Sequence, residues 1–294
     1  MEFAADWLQP ACAGLMNIAL ALLVGSALFF RRVPETALQG FARAGLLLFS
    51  LALLGNMVAG TAAMSDSPPT AAAVWLMLTQ TQAGHLMTLA LAGALVLLAA
   101  LCLPRSGAAR YSLYVAGLLL LALSRAASGH AGDEGFFSAA VFVHSLHIIA
   151  GTSWVGAVLV YVLLRGGLAL GQPAALAQEL SDIATLALLT VAGTGLIDFS
   201  RSLAMAASMS NVPVTALGRD FWLSPYMQLL ALKLGAVGTA VALGGLNRWT
   251  QLPRLTQGKT QAVIAFRRIA SVEVVILVLV LVLAAKLGAT MPGE

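Results

Sequence analysis

The chain has 294 residues, of which 60% are hydrophobic and only 10% charged, and its mean hydropathy is +0.92. A soluble domain needs far more charge to cover its surface, so this composition places the chain in the membrane class. The net charge of +4 comes from basic residues scattered in short connections between apolar runs. That pattern is membrane topology and excludes the single basic face that nucleic acid requires.

The N-terminus carries Glu2 and Asp6 and lacks a basic n-region, so no cleavable signal is expected. Apolar runs then predict spans over 11–30, 42–62, 83–103, 111–128, 138–164, 180–199, 225–246 and 268–288. The reading is all-α: a polytopic membrane bundle of about eight helices, one integral-membrane domain over 1–294. The stretch 70–82 is too polar at its end to span, and is expected to lie along the surface or to extend the third helix outward. The run 138–164 is long enough to tilt or to project beyond the bilayer.

The segments after spans one, three, five and seven hold Arg31, Arg32, Arg43, Arg105, Arg110, Arg165, Arg248, Arg254, Lys259, Arg267 and Arg268. The other side holds Arg125, Arg201, Arg219 and Lys286. Basic loops stay in the cytoplasm, which puts both termini outside. Cys12 and Cys102 then fall at opposite faces, roughly 30 Å apart and beyond the reach of a disulfide. No GxxxxGK[ST] phosphate loop occurs and no cytoplasmic connection could house a nucleotide domain, which excludes ATP-driven pumping by this chain alone.

All four histidines map to the outer half. His85 begins span three, His130 follows span four, and His144 and His147 sit in the outer third of span five. The last two are three residues apart and share one helix face, with Gly151 and Trp154 continuing the stripe. Their depth is on the order of 10–15 Å, where an ionisable side chain is costly and normally marks function. The methionines show the same asymmetry. Met16, Met57, Met64, Met77, Met87, Met205, Met209, Met227 and Met291 all belong to the outer half, and Met205 and Met209 share a face. Any single methionine is an ordinary gap-filler. As a set, with Met57, Met64, Met205 and Met209 as the candidates, they are soft thioether donors that select Cu(I), while imidazole binds copper in either oxidation state. Asp133 and Glu134 beside His130 would draw cations toward the same side.

Two further buried charges are expected in ion pairs that lock helices together. Lys233 in span seven would pair with Asp198 at the end of span six, and Glu273 would pair with Arg267, Arg268 or Arg248. A coupling-ion role is the sharper alternative for these groups.

HSLHIIAGTSWVGAVLV at 144–160 resembles the signature helix of the CopD copper-resistance family. SGHA at 128–131, SPYMQLLALKLGAVGTAVALGGLNRW at 224–249 and FRRIASVEVV at 266–275 resemble three further stretches of that family. The resemblance is densest from residue 124 onward. It implies a bacterial inner-membrane protein of copper handling, not an enzyme, often paired with a small periplasmic copper carrier called CopC. It carries over His130, His144 and His147 as ligand positions, whereas His85 matches no family residue.

Three readings follow. Copper is received at the periplasmic side and moved across the membrane, or it is bound there without transport, since the inner half offers almost no ligands beyond Cys102. In the third, His85 with His144 or His147 clamps a b-type haem for electron transfer.

Overall fold

The computed structural model describes residues 2–64, 70–103 and 107–292, with the backbone alone at 2–6, 166, 168 and 169. Arg105, counted above among the basic connections, lies outside the described residues. The described chain is all helical: α1 (Glu2–Leu28), α2 (Glu35–Met64), α3 (Ala71–Gln80), α4 (Gln82–Cys102), α5 (Ala108–Ala127), α6 (Ala139–Leu163), α7 (Pro173–Met209), α8 (Arg219–Trp222), α9 (Pro225–Leu246), α10 (Leu252–Thr256) and α11 (Thr260–Leu287).

Among the described residues seven helices are long and apolar enough to cross a membrane: α1, α2, α4, α6, α7, α11 and the continuous Pro225–Thr256. The expected bundle of about eight helices differs from this count by one. The predicted span 111–128 is present as α5, but Arg110, Tyr111, Ser112, Tyr114 and Arg125 dilute its apolarity. α5 nevertheless runs antiparallel to α4 along its whole length. Ser124 Oγ donates to Leu86 O at 2.8 Å at one end, and Gly117 lies against Leu97 farther along. Both chain ends come to one end of the bundle, where Lys286 Nζ sits 4.6 Å from the centre of the Trp7 ring.

Local chemistry sets the helix boundaries. The Thr81 hydroxyl donates to Met77 O at 2.8 Å and accepts from Gly84 N at 2.9 Å, so one side chain closes α3 and opens α4. The segment 70–82 is therefore a separate ten-residue helix laid on α4 and α2. Ser138 caps α6 by accepting from Val141 N, and Ser224 caps α9 ahead of Pro225. α7 is much longer than the predicted 180–199. Its 37 residues reach about 55 Å at the α-helical rise, against roughly 30 Å of hydrocarbon, so its end projects.

Two apolar cores meet at α1 and α6. One joins α1, α2, α4 and α5 around Leu20, Leu23, Phe49, Leu97 and Leu121. The other joins α6, α7, α9 and α11 around Trp154, Tyr161, Leu176, Phe266 and Leu277. α6 is the spine, packed on α1, α5, α7 and α11. It approaches α1 at backbone contact: a Cβ on Gly156 would lie 2.0 Å from Ala21 O, and one on Gly25 would lie 2.2 Å from Gly156 O. Glycine at both positions is what permits the crossing. Large apolar side chains on the outer faces, such as Leu47, Leu51 and Leu54 of α2 and Leu186, Leu189 and Leu196 of α7, are exposed as a lipid-facing surface would be. Cys12 is buried and Cys102 exposed, and neither is in a disulfide.

Candidate functional site

α6 and α7 pack along their length, and the packing turns the histidine face of α6 onto α7. His144 Nδ1 lies 2.8 Å from Asp198 Oδ2, and His147 Nδ1 lies 2.9 Å from Thr194 Oγ1. Asp198 and Thr194 are four residues apart, one turn of α7, which matches the three-residue spacing of the histidines. The two imidazoles stack, with ring centres 5.9 Å apart and planes 4° from parallel. Thr194 passes its own proton to Thr190 O at 2.7 Å, which leaves its oxygen to accept from the His147 ring. The Asp198 carboxylate likewise accepts from His144. Both Nδ1 atoms thus carry the hydrogen, and each Nε2 is left as the basic nitrogen of its ring. Gly195 completes the seat, because a Cβ there would press on His147 Cε1 at 3.4 Å.

This is the arrangement by which acceptors orient metal-binding histidines through the distal ring nitrogen. Metal–imidazole bonds of about 2.0–2.1 Å require nitrogens sharing an ion to come within about 4 Å. The stacked rings would therefore tilt toward one another to share a single ion. Among the described residues no three His, Cys, Asp or Glu side chains converge. The donor set at hand is a pair of imidazoles with a carboxylate behind one of them.

His130 sits in the 3-10 turn His130–Glu134 after α5, at the same end of the bundle. Its Nε2 is 3.3 Å from Thr290 O and its Nδ1 3.7 Å from Asp133 Oδ2. Glu134 of that turn pairs with Arg201, one turn beyond Asp198, which draws the His130 segment toward the α7 side of the pair. The remaining candidates lie elsewhere. His85, in the first turn of α4, points its Nε2 at Thr79 O of α3, 3.1 Å away, and does not face His144 or His147. Met57 and Met64 are on α2; Met205 and Met209 ride the projecting end of α7, with Met209 and Met64 exposed. Met205 and Met209 thus share a helix with Thr194 and Asp198, whereas Met57 and Met64 belong to α2. Met77, on which no ligand role was placed, is instead buried, with the Thr61 hydroxyl 3.4 Å from its sulfur.

Both expected ion pairs are corrected. Asp198 is engaged by His144, while Lys233 stays within electrostatic range of Asp198 and His147 without forming a direct ion pair among the described residues. The reason is packing: α7 lies on α6, whereas α9 lies on α11. Glu273 Oε1 accepts from the Trp154 indole N–H at 3.1 Å and meets no arginine among the described residues. α11 begins at Thr260, so Arg267 and Arg268 stand six and five residues before Glu273 on the same helix and point away from it. Arg248 instead binds α7, through Ser181 O at 3.1 Å, Ser181 Oγ at 2.6 Å and Thr185 Oγ1 at 3.1 Å.

Two family models match. "Copper resistance protein D-like, N-terminal domain" covers residues 4–139, which is α1 to α5, and "Copper resistance protein D" covers residues 174–287, which is α7 to α11. The histidine helix α6 lies between the two matched stretches. Neither the comparison with curated proteins nor that with solved structures gives a match. With both halves of the bundle matched, the chain belongs to the copper resistance protein D family, whose members are membrane proteins of copper handling and are not described as enzymes.

Proposed function

We propose that this protein receives copper at the end of the bundle where its termini and His130 lie, binds it at His144 and His147, and passes it across the bacterial inner membrane. That end is the periplasmic one in this reading, because the opposite end carries the basic connections Arg31, Arg32, Arg110, Arg165 and Arg254. The observation that carries the proposal is the stacked pair, with Asp198 and Thr194 holding both Nδ1 atoms and leaving both Nε2 atoms for a soft or borderline metal.

His130, on the turn tied to α7 through Glu134 and Arg201, is the first residue that copper from a CopC-like periplasmic carrier would meet. Met205 and Met209, on the projecting end of α7, are thioether contacts that would hold Cu(I) briefly and let it go. Met57, Met64 and His85 stand apart from this route, on α2 and α4, and take no part in it. The haem reading loses its support, since His85 is turned to Thr79 and the pair to α7.

The test is copper movement into proteoliposomes holding the purified protein. Accumulation above that of empty vesicles, lost in the His144→Ala/His147→Ala variant, is the expected result. Stoichiometric copper binding with no movement would reduce the protein to a binding module.

A further inference from the structure

Glu273 is the one acidic side chain buried to 3% exposure in the middle of a helix long and apolar enough to cross a membrane, among the described residues. Its surroundings are unusual for a charge. Trp154 Nε1 donates to Oε1 at 3.1 Å, and across from it Gly244 of α9 leaves room that any side chain would take, since a Cβ there would stand 3.3 Å from Oε1. No cation pairs with it among the described residues. An ionised carboxylate held by one hydrogen bond in an apolar interior is costly, whereas the acid form with the same bond is not.

The two directions along α11 from Glu273 differ. Toward the chain termini the same face carries Leu277 and Leu281, both buried and apolar. Toward the basic end it carries Phe266, two turns away, and around Phe266 lie three buried polar atoms with no partner among the described residues: Tyr161 Oη, Asn247 Oδ1 and Arg267 Nε. The Tyr161 ring packs edge-on against Phe266, and Asn247 Nδ2 donates to Phe266 O at 3.2 Å. Buried polar atoms that find no protein partner are where proteins hold internal water. Arg267 also lines a small cavity of about 180 Å³ with Ile264, Arg268 and Ser271. Buried polar atoms therefore lie about two turns from Trp154 and Glu273 toward the basic end, whereas toward the termini the α11 face is apolar and the α6 face carries Gly151 and then His147.

We propose that Glu273 is a proton-binding site inside the membrane, exchanging its proton through the buried Tyr161 and Asn247 region with the basic end of the bundle. The charged and titratable groups of the surrounding elements leave it free for this. On α6, Trp154 and Tyr161 are the polar side chains toward the basic end, and His147, two turns from Trp154 toward the termini, is held by Thr194. Arg248, in the turn that follows α9, is bound to Ser181 and Thr185, and Lys233 lies three turns away along α9 toward the termini. Arg267 and Arg268 point off the Glu273 face of their own helix. Cys12 of α1 abuts Gly55 of α2, and Arg32, in the turn after α1, pairs with Glu179 of α7. Arg165 and Arg254 belong to the connections at the basic end.

The inference does not depend on copper, and its test uses none. Infrared spectra of the full-length protein in lipid would be compared between wild type and Glu273→Gln. The expected result is a carbonyl band of a protonated carboxylic acid in the wild type, missing in Glu273→Gln, that shifts when the solvent is exchanged to D2O. Trp154→Phe should move the band to higher frequency by removing its hydrogen-bond donor, and serves as the test if Glu273→Gln does not accumulate. Superimposable spectra of wild type and Glu273→Gln would overturn the proposal. So would a band that never responds to D2O, or one unmoved by Trp154→Phe.

Discussion

The position of the histidine helix rests on the crossing of α1 and α6, and a single methyl group tests it. In Gly156→Ala the new Cβ would stand 2.0 Å from Ala21 O and 2.8 Å from Gly25 N. Carbon and carbonyl oxygen tolerate about 3.3–3.6 Å, so the two backbones must part by about 1.3 Å. No side chain can rotate to relieve the contact, because both partners are main chain. Overpacking of a core costs about 1–3 kcal/mol and sometimes more, and a main-chain clash belongs at the upper end. A loss of about 3 kcal/mol corresponds to a more than hundredfold change in the folding equilibrium. Gly151→Ala is the control on the same helix. Nothing lies within 4 Å of its added methyl, so it should be neutral or stabilise by about 0.5–1 kcal/mol through helix propensity. Denaturation of both variants in the same detergent would show the contrast. Equal midpoints for Gly156→Ala and Gly151→Ala would refute the account of how α6 is seated.

Other consequences concern the site. Asp198→Asn should weaken copper binding by about 10–100-fold, because the carboxylate that orients His144 and raises its basicity is lost; competition with a Cu(I) chelator would measure it, and an unchanged affinity would count against the pairing. Lys233→Met should tighten copper binding in the same assay, since it removes a positive charge within range of Asp198 and His147. Gly84→Ala should destabilise the α3–α4 corner strongly, as its Cβ would meet Met77 O at 2.1 Å, and the thermal midpoint should fall well below that of wild type. The purified protein should show no Soret absorption while binding Cu(I) stoichiometrically, and a haem spectrum would revive the electron-transfer reading.

The all-helical membrane fold was legible from hydropathy, and the stripe His144, His147, Gly151, Trp154 from helical periodicity alone. Helix ends were less so. Apolarity marks where the bilayer stops and not where a helix stops, so α7 and α11 were read short by several residues at their starts, though Pro173 signals the first of these. That misreading misplaced the partners of Glu273: once Arg267 and Arg268 lie inside the same helix, their spacing turns them away from it. The Thr194 and Asp198 pair, one turn apart on an otherwise apolar helix, was a readable complement to the two histidines. Its assignment to Lys233 failed because a sequence shows which faces are polar but not which helices are neighbours. The same gap explains the methionines. The sequence reading groups them on one side, whereas the division of Met57 and Met64 from Met205 and Met209 between α2 and the end of α7 follows from the packing order.

Copper affinity of the His144→Ala/His147→Ala variant, beside that of His85→Ala, bears most directly on the central claim, provided both still purify as folded membrane proteins. The account predicts that the double variant loses high-affinity copper binding and that His85→Ala keeps it. Full affinity in the double variant, or its loss in His85→Ala alone, would contradict the account.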